Sequence, residues 1–87
     1  MSLEYDEVFS SLISVSEFEK KQRLHVVLQK IKKSTQNGFE IHKEKLNQLD
    51  RSPDMLFFLI SELQKRGYSV HLYYNFLYCK KSLPSML

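Results

Sequence analysis

Cysteine is nearly missing from this sequence: Cys79 stands alone. A lone cysteine cannot close an internal disulfide, and small secreted domains usually carry several pairs, so the composition points to a reducing interior, the cytoplasm. Glycine occurs only at positions 38 and 67, neither in a glycine-rich loop, so there is no backbone cradle of the kind phosphate-binding motifs use. His25, His42 and His71 are scattered, and no Cys or His pair has zinc-ligand spacing. No metal and no cofactor is expected. No apolar run approaches the ~20 residues of a membrane-spanning helix. The acidic start "MSLEYDEVF" has neither the basic nor the apolar region of a signal peptide. The sequence also has no internal repeat, low-complexity tract or linker.

What is there fits one small domain. A chain of 87 residues is one folding unit, and it buries only about 60–65% of the surface its unfolded form exposes. It is marginal unless compact or oligomeric. The 43% hydrophobic and 26% charged content excludes wholesale disorder. Net charge is +3, unevenly spread. Glu4, Asp6, Glu7, Glu17 and Glu19 precede any base, whereas residues 20–33 hold Lys20, Lys21, Arg23, Lys30, Lys32 and Lys33 with no acid. An acidic arm beside a basic helix can pair within the molecule, or the basic block can meet an anionic partner.

Residues 1–12 read as an acidic segment with the pattern of a short helix, and 13–79 as the compact domain. Ser14 with Glu17 fits a capping box, and Ile13 with Phe18 a hydrophobic staple; Ser16 with Glu19 is a second box. A helix then runs to about Gln36, with Leu24, Val27, Leu28 and Ile31 at helical spacing and its bases around the rim and back of that stripe. Asn37-Gly38 ends it. "GFEIH" predicts a short strand through Phe39 and Ile41, and "KEKLNQL" a short helix with Leu46 and Leu49 inward. Ser52 caps a second helix, Pro53 takes its first position, Asp54 suits its dipole, and Gly67 ends it. "YSVHLYYNFLYC" is β-branched and aromatic: either one long strand or a hairpin turning near Tyr74-Asn75. The tail 80–87 is expected to be loose.

The second helix is more apolar than a surface helix needs. At 100° per residue, Leu56, Leu59, Ile60 and Leu63 form the core stripe, with Met55 at its edge. Phe57 lies on the far border and Phe58 nearly opposite, beside Asp54, Ser61 and Lys65. Either a third element covers Phe58, or a partner does. In the last segment Tyr73 and Leu77 make a second apolar face, with little material to cover it. Aromatics are enriched at interface cores, so a homodimer or another protein is the expected cover for Phe57, Phe58, Tyr73 and Leu77.

The order strand, short helix, turn, capped helix, "GY-S-V" and hairpin, carried by Leu49, Ser52, Ile60, Leu63, Gly67, Tyr68 and Val70, resembles a winged helix-turn-helix domain over residues 18–79. That resemblance implies a DNA-binding fold with the 53–66 helix in the major groove. Two departures stand against base reading by that helix. Asp50 and Arg51 occupy a turn that favours a glycine and then an apolar residue. The outward positions are Asp54, Phe58, Ser61 and Lys65, where base edges want Arg, Lys, Asn or Gln.

Catalytic chemistry is not expected. No histidine is placed to serve Cys79, and Glu40 with Glu44 reads as surface charge. The sequence therefore predicts an α+β domain of two or three helices on a short strand and a C-terminal strand or hairpin. Its expected function is that of a small non-enzymatic regulatory protein working by protein–protein contact, of the size of phage-type or host-directed regulators. The alternative is a winged-helix-like regulator binding nucleic acid through Lys20, Arg23, Lys30 and Lys33.

Overall fold

The computed structural model describes residues 15–81; the expected helix in 4–12, Ile13, Ser14 and residues 82–87 lie outside them. Among the described residues, two helices pack on one side of a three-stranded antiparallel sheet, the α+β class expected. Helix α1 spans Glu17–Gln36, strand β1 Ile41–Lys45, helix α2 Pro53–Lys65, strand β2 Tyr68–Tyr73 and strand β3 Phe76–Lys81. The sheet order is β1-β3-β2, so the last strand is central.

Local chemistry sets the helix ends. Ser16, the second of the two capping candidates, is the N-cap of α1: its Oγ accepts from Glu19 N at 3.1 Å and donates to Glu19 Oε1 at 3.0 Å. Val15, one residue before the cap, is buried, whereas Phe18 is exposed. Gly38, at φ +89°, ends the helix in the left-handed region. In α2, Ser52 Oγ accepts from Met55 N at 3.3 Å, Pro53 opens the first turn, and Gly67, also at φ +89°, closes it.

Between the helices the sequence misleads. The strand expected around Phe39–Ile41 begins at Ile41 and runs to Lys45, and the short helix expected at 43–49 is replaced by the rest of β1 and a turn. The reason is non-local. Residues 41–45 pair with 80–76 of β3, and the chain beyond Leu46 is folded by side chains. Asp50 Oδ2 accepts from Asn47 N at 3.0 Å, and Asn47 Oδ1 accepts from Asp50 N at 2.7 Å. Leu46 is buried, but Leu49 faces outward.

The aromatic C-terminal segment is a hairpin, turning at Tyr74-Asn75. Its turn is anchored to the 46–51 segment: Asn75 O accepts from Leu46 N at 2.7 Å, and Asn75 Oδ1 accepts from Arg51 Nη1 at 2.8 Å. Lys80 and Lys81, expected in a loose tail, belong to β3: Lys80 pairs with both neighbouring strands and Lys81 with β2.

The core lies between the helices and the sheet. Leu24, Val27 and Ile31 of α1 meet Met55, Leu59 and Leu63 of α2 and Leu77 and Cys79 of β3. The buried stripe of α2 is thus turned toward Met55, with Leu56 and Ile60 at its margins. Phe58 does not face outward: it is half-buried against the core, with Lys20 Nζ of α1 5.8 Å from its ring centre. Because α1 packs along that side of α2, Phe58 is covered in part within the molecule.

Candidate functional site: the open face of the sheet

Side chains alternate across a strand, and directly paired residues of antiparallel strands point to the same side. The register therefore assigns every strand residue to a face. The inner face carries His42, Glu44, Leu77, Cys79, Val70 and Leu72, the side against which the helices pack. Leu77 is 0% exposed. This corrects its expected place in a partner-binding surface: as a residue of the central strand on the helix side, it is core.

The outer face is a grid of three rows. Lys45, Phe76 and Tyr73 form the first, Lys43, Tyr78 and His71 the second, and Ile41, Lys80 and Ser69 the third. The flanking positions are exposed, and Phe76 and Tyr78 in the central strand are half-buried. Lys43 Nζ lies 4.1 Å from the Phe76 ring centre, a cation–π contact, and the Phe76 and Tyr78 rings are 6.5 Å apart. Tyr73, 61% exposed, meets Tyr74 edge-to-face at 4.5 Å. No row contains an acid, and Lys43, Lys45 and Lys80 make no ion pair among the described residues. Of the aromatics expected at a partner surface, Tyr73 sits on this grid. Phe57 is 76% exposed but stands apart on α2, on the helix side of the sheet.

The turn beside the grid is conformationally costly. Tyr74 has φ +55°, the only positive φ of a non-glycine residue among those described. A two-residue hairpin turn with positive φ at its first position follows the type II′ pattern, which favours glycine there. A bulky aromatic in its place is a strained choice.

The bases of α1 expected to meet nucleic acid are largely engaged. Lys20 Nζ lies 3.0 Å from Asp54 Oδ1 and 3.5 Å from Glu17 Oε1, and the hydrogen bond to Asp54 pushes its pKa up. Arg23 forms a fork on Asp50: Nε to Oδ1 and Nη2 to Oδ2, both at 2.8 Å. Its Nη2 also donates to Glu44 Oε2 at 2.9 Å. Burial works against the Arg23 charge, but the hydrogen bonds to Asp50 and Glu44 outweigh it and raise the pKa. Lys30 Nζ reaches the same Glu44 oxygen at 3.1 Å, and Lys33 is exposed.

Glu44, read from sequence as surface charge, is 3% exposed, and Asp50 is 0% exposed. Burial disfavours ionised Glu44, but hydrogen bonds from His42, Arg23 and Lys30 reverse that and hold its pKa below the usual range. An ionised carboxylate only accepts. His42 Nε2 therefore donates to Glu44 Oε1 at 2.7 Å, and in the neutral ring Nδ1 accepts from Ser34 Oγ at 2.9 Å.

Ser34, His42 and Glu44 thus stand in the order hydroxyl, imidazole, carboxylate, as in a nucleophilic triad. The surroundings oppose that chemistry. Ser34 lies in the last turns of α1, where the helix dipole is negative, the wrong sign for a developing oxyanion. Glu44 is shared with two cations. Cys79 is buried, and burial, and then the charge of Glu44, push its thiol up to about 11, away from the reactive thiolate. Among the described residues, no three His, Cys, Asp or Glu side chains gather as a metal site, and no helix is long and apolar enough to cross a membrane. No family model, curated protein or solved structure matches this chain.

Proposed function

We propose that the chain is a small, non-catalytic regulatory domain of a reducing compartment that acts by contact, and that its contact surface is the outer face of the sheet. One observation carries this reading. Tyr73, Phe76 and Tyr78 line a face against which neither of the described helices packs, beside a turn that tolerates strain to keep Tyr74 at its tip. Aromatics that serve only the fold belong on the other side of the sheet. A partner that covers them gains area the domain itself does not use.

The test needs no knowledge of the partner. The double variant Tyr73→Ser, Tyr78→Thr should lose no more than about 1 kcal/mol of stability in urea unfolding, as for surface positions. A loss of several kcal/mol would make these rings part of the fold and end the reading. Light scattering decides whether the partner is a second copy: a dimer that the double variant returns to monomer places the self-interface on this face.

A second reading, nucleic-acid binding through α1, draws on the groove that Lys30, Lys32 and Lys33 line with Gln29 and Gln36. It is the weaker one, because Lys20 and Arg23 are held by acids of the same molecule. The winged-helix proposal rests on element order alone, with strand residues to Lys45 and then a turn where that pattern has a short helix over 43–49.

A further inference from the structure

Resting on the contact reading above, we infer that the occupant of the outer face is a single-stranded nucleic acid. The grid has the two components that such strands require and that a protein partner does not call for together. Phe76, Tyr78 and Tyr73 present ring surface for unpaired bases, which stack on aromatics regardless of sequence. Lys43, Lys45 and Lys80 supply positive charge with no acid in any row. The lysines run down one side and one end of the aromatic patch: Lys45 beside Phe76, Lys43 beside Tyr78, and Lys80 next along the central strand. A strand laid along β3 can place successive bases on Phe76 and Tyr78 while its phosphates follow Lys45 and Lys43. Lys43, now over the Phe76 ring at 4.1 Å, moves from ring to phosphate as the base arrives. A duplex hides its base faces and cannot use the rings.

The experiment uses the full chain and a fluorescent oligothymidylate of about twelve nucleotides, within the usual site size of such platforms, with an oligouridylate and a duplex for comparison. Binding is followed by anisotropy from low to physiological salt, and lysine acetylation maps the face with and without the oligonucleotide. Lys43, Lys45 and Lys80 should react in the free chain and be protected in the complex. Tyr78→Ser, and separately the exposed and structurally milder Tyr73→Ser, should weaken binding about fivefold, the low end of one base–aromatic stack. Each Lys→Gln on the grid should reduce the slope of log affinity against log salt by about 0.7. Lys32→Gln with Lys33→Gln should leave the sheet contacts unchanged.

Reactive grid lysines with no binding at low salt would overturn the nucleic-acid inference and leave the contact reading standing. Tighter duplex binding, or protection of Lys32 and Lys33 instead of the grid, would overturn it in favour of α1. Grid protection in the free chain that grows with concentration would make a second copy the occupant and also overturn it. Protection independent of concentration would mean the chain covers its own face, and both readings would fall.

Discussion

The two faces of the sheet are made from the same strands, one residue out of phase, and treat charge in opposite ways. On the inner side the buried charges are answered. Glu44 meets Arg23, Lys30 and His42, Asp50 meets the Arg23 fork, and no buried side-chain nitrogen or oxygen among the described residues lacks a partner. On the outer face three lysines stand among aromatic rings with no acid among the described residues. A buried carboxylate must be paired or it costs several kcal/mol, whereas an exposed lysine costs little. The inner charges are therefore explained by the fold, and the outer arrangement of rings and lysines is not.

The sharpest way to break this comparison is to cut the inner face. Leu77→Ala, at a fully buried position in the central strand, should cost about 3–4 kcal/mol, within the range for truncating a core leucine, read as a shift of the urea midpoint. If it cost no more than the outer-face double variant, the assignment of faces would be wrong. Arg23→Ala should cost about 3 kcal/mol, because it leaves Asp50 buried without its cation; an unchanged thermal midpoint would show that water reaches that carboxylate.

Acid gives a smaller and graded effect. Because the folded-state pKa of Glu44 is lowered, its contribution is fully present above the unfolded value, about 4.3, and is lost as pH falls through the lower folded value. Stability should decline below about pH 4.3, with Glu44→Gln removing part of that slope. A Glu44→Gln profile parallel to the parent's would remove Glu44 from the account. The smallest effect has the opposite sign. Tyr74→Gly should stabilise by a few tenths of a kcal/mol, relief of strain exceeding the entropy glycine adds to the unfolded chain, while weakening oligonucleotide binding. Loss of both stability and binding would mean that Tyr74 is there for the hairpin.

How much of this was legible follows from how local each feature is. The cap at Ser52 and the stops at Gly38 and Gly67 are contacts within a few residues, and the sequence states them; the cap at Ser16 was the second of two candidates, after Ser14. The hairpin was one of two options, decided by pairing. The 43–49 segment was misread because Leu46 and Leu49 mimic helical spacing, while the partners that make 41–45 a strand lie more than thirty residues away in β3. Phe58 was misplaced for a similar reason: a helical wheel shows which residues share a side, not which side a second helix covers. The outer face could have been found. Taking the hairpin at Tyr74-Asn75 puts Phe76 and Tyr78 opposite Leu77 and Cys79. What sequence alone could not supply was β1 on the far edge, which brings Lys43 and Lys45 beside them.

Asn75, held at both its backbone and its side chain by the 46–51 segment, fixes more than a turn. It sets the parity of β3, and parity decides which residues are for folding and which are for the outside. Under saturation mutagenesis this strand should behave as two interleaved alphabets: positions 77 and 79 restricted to small and medium apolar residues by any stability screen, positions 76, 78 and 80 free there and restricted only by a binding screen. A single residue inserted at the turn would exchange the two alphabets and turn the domain inside out.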